Sequence, residues 1–204
     1  MKIKLKDYER IYKTINSIVK NENADPTVAC TFFSFYGAHI LREHYKMDAQ
    51  PLAGMCFYHM GGNNDVLSFA KLDGDNFSSD IDAFHCWVVV DGWLIDFMAP
   101  AFSDIKTGKV PLKAKMMQKP ISEMAESLNH LTKEGDFYFD ANPEVLENRM
   151  EYLASSLAYS DLADICSQWY KKPPKKMNSA IQIKDGKGQL NSIALQGNSV
   201  IGAW

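Results

Sequence analysis

The sequence predicts an α+β fold in which helices near the N-terminus pack on an antiparallel sheet. Three patterns predict it: helix-periodic apolar residues before position 45, short apolar runs separated by turn residues between positions 51 and 98, and two sites where Asp or Asn precedes Pro. Because the 204 residues are 46% hydrophobic, the chain is long enough to bury one sizeable core. We therefore expect a single domain over residues 1–204, with its core at about residues 8–100 and an elaboration at about 101–204.

The first two helices are predicted by apolar spacing and by a start signal. Residues 8–19 carry apolar side chains at every third or fourth position, which is the pattern of an amphipathic helix. Asp25 followed by Pro26 starts a second helix, since Asp accepts from free amides and Pro fits the first turn. This helix should run to about Tyr45. Because residues 28–41 are apolar on nearly all sides, we expect it to be buried in the middle of the domain.

The sheet is predicted from four apolar runs and the turns between them. Strands are expected over residues 51–60, 66–70, 84–90 and 93–98. A turn at residues 61–64 separates the first pair. Asp91-Gly92 separates the second pair, and both residues tolerate the positive φ that a two-residue hairpin turn requires. The polar residues 73–82 are expected to form an exposed loop.

The second half of the chain adds helices and a hairpin. Helices are predicted over residues 122–131, from the Asn142-Pro143 start to about 158, and over 161–170. A strand is predicted at residues 137–139, and a C-terminal hairpin at residues 180–183 and 192–195. The Lys- and Pro-containing residues 171–176 are interpreted as a solvated connection.

Composition restricts the partners and the compartment. A net charge of -3 with interspersed signs offers no broad positive surface, so we expect no nucleic-acid partner. Residues 1–6 are charged at alternate positions and precede no long apolar stretch, which predicts no membrane segment and no export signal. The four cysteines form no CxxC pair, which favours a reducing, cytoplasmic location. The oligomeric state stays open.

Three side chains stand out as candidate catalytic groups. Cys30 lies near a predicted helix start, where partial positive charge and free amides stabilise a thiolate. His85 begins a very apolar strand, and Asp96 lies on the partner strand among apolar neighbours. A buried carboxylate is costly unless it is paired, so His85 is the expected partner of Asp96.

The hairpin register makes that pairing specific. If Asp91 and Gly92 form a two-residue loop, Trp87 faces Asp96 and His85 lies diagonal to Asp96 on the same face. Diagonal neighbours lie roughly 7–8 Å apart at the backbone, which lets a carboxylate hold an imidazole ring. A bulge in the turn would place the two side chains on opposite faces.

These residues together resemble a known superfamily. A Cys that opens a buried helix, the sequence His-x-Trp-Val-x-Val-Asp-Gly from His85 to Gly92, and Asp96 closing the next strand are similar to the papain-like cysteine hydrolases. The most similar branch is the transglutaminase-like one, which includes arylamine N-acetyltransferases and transglutaminase-like peptidases. The resemblance covers residues 26–100. It implies a Cys-bearing helix packed on an antiparallel sheet. The additional C-terminal helices and the hairpin are predicted from the residues themselves and not from the resemblance.

The resemblance also implies roles. Cys30 would be the nucleophile, His85 the general base and acid, and Asp96 the group that orients the imidazole. The substrate would be a peptide or a small amide or acyl compound, hydrolysed through a thioester without a cofactor.

One feature departs from the papain-like pattern, because no Gln precedes Cys30 as an oxyanion donor. Asn21, Asn23 or Thr27 would take that place, or else the Cys30 amide acts with fewer donors. The candidate oxyanion-hole and substrate-contacting residues are Asn23, Thr27, Ala29 and Trp87.

Other interpretations compete with the triad. Zinc ligand types occur at Cys56, His59, His85, Cys86 and Asp96. Adjacent strand residues point to opposite faces, which argues against a shared metal, so no metal site is predicted. The Asp-rich residues 73–82 lack the ligand order of a calcium loop.

The reaction class is not fixed by the three residues. Peptide or amide hydrolysis is the first choice, and acyl transfer on the same triad is the alternative. A non-catalytic binding protein that keeps the fold is a third possibility.

Overall fold

The computed structural model describes residues 1–61, 65–105 and 112–204, and its class is α+β with an antiparallel sheet. The predicted turn at residues 61–64 falls largely on residues 62–64, which lie outside the described residues. No helix among the described residues is both long and apolar enough to cross a bilayer.

Four helices form in the described chain. They are α1 (Leu5–Asn21), α2 (Cys30–Tyr45), α3 (Pro143–Ala154) and α4 (Leu157–Trp169). The start of α2 differs from the prediction, because Pro26–Val28 forms a separate 3-10 turn. The Asp25 carboxylate accepts from the Thr27 amide at 2.9 Å and so caps this turn instead of α2. The α-helix therefore begins at Cys30.

The strands in chain order are β1 (Gln50–His59), β2 (Val66–Phe69), β3 (Lys71–Asp73), β4 (Asn76–Ser78), β5 (His85–Val90), β6 (Trp93–Asp96), β7 (Met117–Pro120), β8 (Phe137–Ala141), β9 (Ala180–Lys184) and β10 (Leu190–Ala194). β1, β2 and β5–β8 form the main sheet. β9 and β10 form the C-terminal hairpin. β3 and β4 form a small exposed hairpin that overlaps the segment predicted as a loop, residues 73–82.

β1 is the central strand of the main sheet. Its first half pairs with β5 and its second half with β2, while residues 54–58 pair with β8 on the opposite edge. A Cβ at Gly54 would lie 2.1 Å from the Asp140 carbonyl oxygen, so the close approach of β8 requires glycine there. This arrangement brings β2 and β5 to the same edge of β1.

The β5–β6 hairpin has the predicted two-residue turn. Val90 pairs with Trp93, and Asp91 and Gly92 have φ of 46° and 75°. No bulge shifts the register, so Asp96 and His85 share a face. The sequence prediction of this register is confirmed.

The prediction of a helix at residues 122–131 is wrong. Only two short 3-10 turns form there, at Ile121–Glu123 and Leu128–His130. Between these two turns the Ala125 amide donates to the Phe137 carbonyl of β8 at 2.9 Å, which interrupts any continuous helix. Tertiary pairing therefore overrides the helical preference of the segment.

The two later helices also differ in their bounds. The helix that starts at Asn142-Pro143 ends at Ala154 rather than near residue 158. The Ser156 hydroxyl accepts from the Ala158 amide at 3.3 Å and so caps α4, which begins before the predicted residue 161.

One hydrophobic cluster joins the N-terminal and C-terminal parts of the chain. It extends from Ile3 to Val200 and contains buried residues of every helix. Each fully buried large apolar side chain contributes about 1.5–3 kcal/mol. α2 lies so close to the sheet that a Cβ on Gly37 would come within 2.2 Å of the Phe97 ring. Residues 101–204 thus share the core with the first half.

Candidate active site

Cys30 is the first residue of α2, and its position follows from how that helix begins. The first backbone hydrogen bond of α2 is donated by the Phe33 amide to the Ala29 carbonyl at 3.2 Å. Among the described residues, no group accepts a hydrogen bond from the amides of Cys30 and Thr31, as expected for the first turn of a helix without a side-chain cap. These donors and the helix dipole favour an anion at the Cys30 sulfur.

His85 and Asp96 form a buried hydrogen-bonded pair. The Nε2 atom of His85 lies 2.7 Å from Oδ2 of Asp96, and the side chains are 0% and 1% exposed. The hairpin register places these two residues as diagonal neighbours. The pairing predicted from the sequence is present.

Three further groups hold the Asp96 residue in place. The Tyr58 hydroxyl donates to Oδ2 at 3.0 Å, and the Met98 amide donates to Oδ1 at 2.9 Å. The hydroxyl of Tyr8 donates to the Asp96 backbone carbonyl. Both carboxylate oxygens of Asp96 therefore have hydrogen-bond donors, as is usual for a buried polar group.

The imidazole ring is enclosed by aromatic side chains. Phe69 stacks on it with ring centroids 4.2 Å apart, Tyr58 meets it edge-on, and Phe102 lies at 5.9 Å. Its Nδ1 atom is buried and has no hydrogen-bond partner among the described residues. Cys30 is the neighbouring anionic group, and together the two residues line one cleft.

Electrostatics favour a thiolate and an imidazolium. Burial lowers the pKa of His85, but the Asp96 carboxylate and the Cys30 thiolate raise it more, to about 10 from an ordinary 6.5. A hydrogen bond with Cys86 lowers the pKa of Cys30 most, and burial opposes it. His85 lowers it further, so that the net value falls to about 5 from 9.0. Near neutral pH the pair is charged.

The remaining cysteines behave differently. Burial raises the pKa of Cys56, Cys86 and Cys166, which keeps these thiols protonated. Cys86 lies against α2, with its Sγ 3.8 Å from Thr31 Oγ1. Cys30 alone among the four has a lowered pKa, and a lowered pKa is the condition under which a thiol becomes nucleophilic.

A cleft of about 330 Å³ opens beside Cys30 and His85. We call it the Cys30 cleft. Its lining residues are Thr27, Val28, Cys30, Ser68, Phe69, Ala70, Asp82, Ala83, Phe84, His85 and Met98. Cys30 itself is only 6% exposed, so a substrate must enter the cleft to reach the sulfur. The wall is mainly apolar, with a single acidic residue.

The residues predicted to form the oxyanion hole or to contact the substrate do not lie together. Thr27 lines the Cys30 cleft. Ala29 is buried and provides the N-cap of α2. Asn23 is exposed on the turn after α1, and Trp87 is fully buried against Phe139. Neither Asn23 nor Trp87 lines the cleft, so of these candidates the structure places only Thr27 and the backbone near Ala29 beside Cys30.

Three residues of the site carry no local sequence signal. Tyr58 and Phe69 lie in ordinary apolar strands, and they reach His85 and Asp96 only through the pairing of β1 with β2 and β5. The sequence indicates Cys86 only as a metal-ligand type, yet it is the largest cause of the lowered pKa of Cys30. In the described parts of the chain, no group of three His, Cys, Asp or Glu residues is arranged around a metal position.

Comparisons with known proteins identify relatives of the whole chain. A comparison with curated proteins finds no match. A crystal structure of a protein described only as a genomics target shares 40% sequence identity, with a TM-score of 0.91 over 99% of this chain and 97% of that one. A family described as "Protein of unknown function (DUF2026)" matches residues 4–204. This chain therefore belongs to the DUF2026 family.

Proposed function

We propose that the protein is a cysteine-dependent hydrolase that cleaves an amide or peptide bond, with a fold of the papain-like type and its transglutaminase-like branch. The single observation that carries the proposal is that Cys30 and His85 line one cleft while the buried Asp96 carboxylate is hydrogen-bonded to His85. A helix-start thiol, an imidazole and a buried carboxylate are the components of nucleophilic acyl chemistry.

The first half of the reaction forms a thioester. The Cys30 thiolate attacks the carbonyl carbon of the substrate, and the negative charge moves to the carbonyl oxygen. The free amides of Cys30 and Thr31 donate to this oxygen and replace the Gln that papain-like proteases use. As the C–N bond breaks, the His85 imidazolium gives its Nδ1 proton to the departing amine.

The second half releases the acid. Neutral His85 accepts a proton from water, and the hydroxide formed attacks the thioester carbonyl. The C–S bond breaks, and the Cys30 thiolate and the His85 imidazolium are restored together with a carboxylic acid. Asp96 does not exchange protons in this scheme; it holds Nε2 so that Nδ1 faces the sulfur.

Two properties of the cleft support a small amide or an extended peptide as substrate. A volume of about 330 Å³ is at the small end for ligand sites, which span roughly 300–1,000 Å³. Three of its lining residues have small side chains, namely Thr27, Ala70 and Ala83. A bulky globular substrate would not reach a thiol that is 6% exposed.

The test is covalent trapping. The protein is incubated with libraries of peptide esters, amides and electrophilic acyl probes, and adducts are located by mass spectrometry. We expect an adduct on Cys30 in the wild type and in Cys166→Ala, and none in Cys30→Ala. Modification of Cys30 only after denaturation, at the same rate as Cys166, would reject the enzyme and leave a non-catalytic binding protein.

Acyl transfer is the second candidate, and the low exposure of Cys30 favours it. A thioester shielded from bulk water survives long enough to meet a bound acceptor. Product analysis with and without an added amine distinguishes hydrolysis from acyl transfer. Release of free acid supports hydrolysis, and an amide product that excludes the acid supports transfer.

A further inference from the structure

The strand β2 lies at one edge of the main sheet. It pairs with β1 on one side, and no turn, loop or further strand among the described residues bonds to its other side. Residues 68–70, at the end of β2, line the Cys30 cleft. The ring of Phe69 stacks on His85, with ring centroids 4.2 Å apart. The open edge of the sheet therefore ends beside the proposed catalytic base.

The direction of the β1 backbone groups follows from the bond at His59. The His59 amide donates to the Asp136 carbonyl at 2.9 Å, on the β8 side of β1. Successive residues of an antiparallel strand direct their amide and carbonyl groups to opposite sides. The Met60 amide follows this alternation, since it donates to the Asp65 carbonyl at 2.8 Å on the β2 side. Tyr58, which precedes His59, therefore also directs its backbone groups to β2.

The same alternation places the backbone groups of Ser68 on the open edge. Tyr58 pairs with Leu67 in the ladder, so the amide and the carbonyl of Leu67 face β1. The next residue, Ser68, directs its amide and its carbonyl away from β1. Ser68 is exposed, and no group in the described part of the chain bonds to these two atoms. Ser68 thus offers one donor and one acceptor at the wall of the Cys30 cleft.

β2 also lacks the residues with which proteins usually protect an open edge. Such edges are commonly blocked by Lys, by Pro or by a covering segment. At the other end of the sheet, β7 contains Lys119 and Pro120. The C-terminal segment covers the residue before β7, where the Met116 amide donates to the Gly202 carbonyl at 2.8 Å. Residues 66–69 contain neither a charged residue nor Pro, so the edge beside the cleft is open to a further strand.

We propose that the open edge of β2 binds the acyl part of an extended peptide as an added strand, with backbone hydrogen bonds to the amide and the carbonyl of Ser68. Main-chain bonds supply the affinity in this mode of recognition. The acyl part stays on Cys30 in the thioester, so it is the part that must be held through both halves of the reaction. The inference rests on the proposed function, and it narrows the substrate from any amide to an extended peptide.

The first experiment measures binding without chemistry. Isotope-labelled Cys30→Ala protein is titrated with acetyl-tetraalanine amide, and the backbone amide signals are followed by NMR. We expect a saturable downfield shift of the Ser68 amide proton, because a new hydrogen bond forms there. The Leu67 amide should shift less, since it already bonds to β1.

The second experiment fixes the register of the peptide with an electrophile. The alkylation rate of Cys30 is measured with acetyl-tetraalanine chloromethyl ketone and with acetyl-alanine chloromethyl ketone. The longer reagent should react roughly tenfold faster, because it gains backbone hydrogen bonds. N-methylation of the peptide nitrogen that faces Ser68 should slow it roughly tenfold. Methylation of the adjacent nitrogen should not, since that amide points away from β2.

Two proline variants make the result specific. Ser68→Pro removes the amide donor, and Pro is tolerated at an edge position whose amide faces solvent. The ratio of the two alkylation rates should fall toward one. Ser192→Pro is the matched control and should keep the ratio. Ser192 lies in β10, outside the Cys30 cleft, and the bond from the Leu195 amide to the Ser179 carbonyl places the Ser192 amide on the outer side of its hairpin.

A Ser68 amide signal that the peptide does not shift would overturn the proposal. So would equal rates for the two chloromethyl ketones on a Cys30 that iodoacetamide labels rapidly. A dimer that Ser68→Pro dissociates, with no effect of the peptide, would assign the edge to a second copy of the chain and overturn it too. If the Ser68 amide shifts while Cys30 reacts no faster than Cys166, the peptide site stands and the proposed chemistry fails.

Discussion

Replacing Asp96 with Asn tests the electrostatic core of the site. The carboxylate is 1% exposed and receives hydrogen bonds from His85, Tyr58 and the Met98 amide at 2.7, 3.0 and 2.9 Å. Removing one partner of a buried ion pair costs about 3–5 kcal/mol when the remaining charge stays unpaired. Because His85 can lose its proton, we expect a smaller loss of unfolding free energy, about 2–4 kcal/mol near neutral pH.

The unfolding free energy lost in Asp96→Asn should decrease as the pH rises. The pKa of His85 is raised from 6.5 in the unfolded chain to about 10 in the folded protein. The stabilisation by Asp96 is therefore complete below about pH 6.5, and it is lost as the pH rises through the folded-state pKa of about 10. Urea unfolding should therefore separate wild type and Asp96→Asn more at about pH 6 than above about pH 10. The pKa of Cys30 should also rise, since the imidazolium beside it is no longer supported.

A matched control exists on the surface. His39 and Asp164 form a second His–Asp contact at 3.2 Å, with the Asp164 side chain 64% exposed. Asp164→Asn should cost less than about 1 kcal/mol. If Asp96→Asn costs no more than Asp164→Asn, and Cys30 alkylates as in the wild type, the reasoning on the buried pair is refuted.

Two further predictions concern the surroundings of Cys30. Cys86→Ala removes the neighbouring thiol and should raise the pKa of Cys30, measured as an upward shift in the pH midpoint of its alkylation. Gly37→Ala places a Cβ 2.2 Å from the Phe97 ring and should lower the unfolding free energy by about 1–3 kcal/mol. Gly186→Ala, which meets no atom within 4 Å, should change it by less than about 0.5 kcal/mol.

The predictions for Cys86→Ala and Gly37→Ala each have an outcome that would contradict them. Cys166→Ala is the control for the cysteine variant, because Cys166 is buried away from the site; an equal shift in both variants would show that Cys86 has no specific effect. A Gly37→Ala protein as stable as Gly186→Ala would show that α2 can move away from the sheet.

The fold near the site follows from a few local signals. Asp91-Gly92 fixes a two-residue turn, which sets the β5–β6 register and places His85 diagonal to Asp96. The Asp25-Pro26 signal marks the start of the segment that carries Cys30. Both are short-range effects, in which side-chain chemistry and backbone sterics of adjacent residues decide the outcome.

Other features could not be predicted, because they depend on a choice between two local caps or on long-range contacts. The delayed start of α2 depends on whether the single Asp25 carboxylate caps the 3-10 turn or the helix. Residues 122–131 have a helical pattern, yet the Ala125 amide bonds to the Phe137 carbonyl of β8. Tyr58 reaches Asp96 only because β1 pairs with β5, and no sequence pattern near Tyr58 indicates that contact.

The charge state of Cys30 is the most direct test of the proposed chemistry. Iodoacetamide alkylation rates of Cys30 and Cys166 are measured in the native protein from about pH 4 to pH 9 by peptide mass spectrometry. A thiolate paired with His85 predicts a Cys30 rate that rises with a midpoint near 5 and then levels off, while Cys166 stays unreactive. A Cys30 midpoint at or above the ordinary value of 9.0, or equal slow labelling of both cysteines, would contradict it.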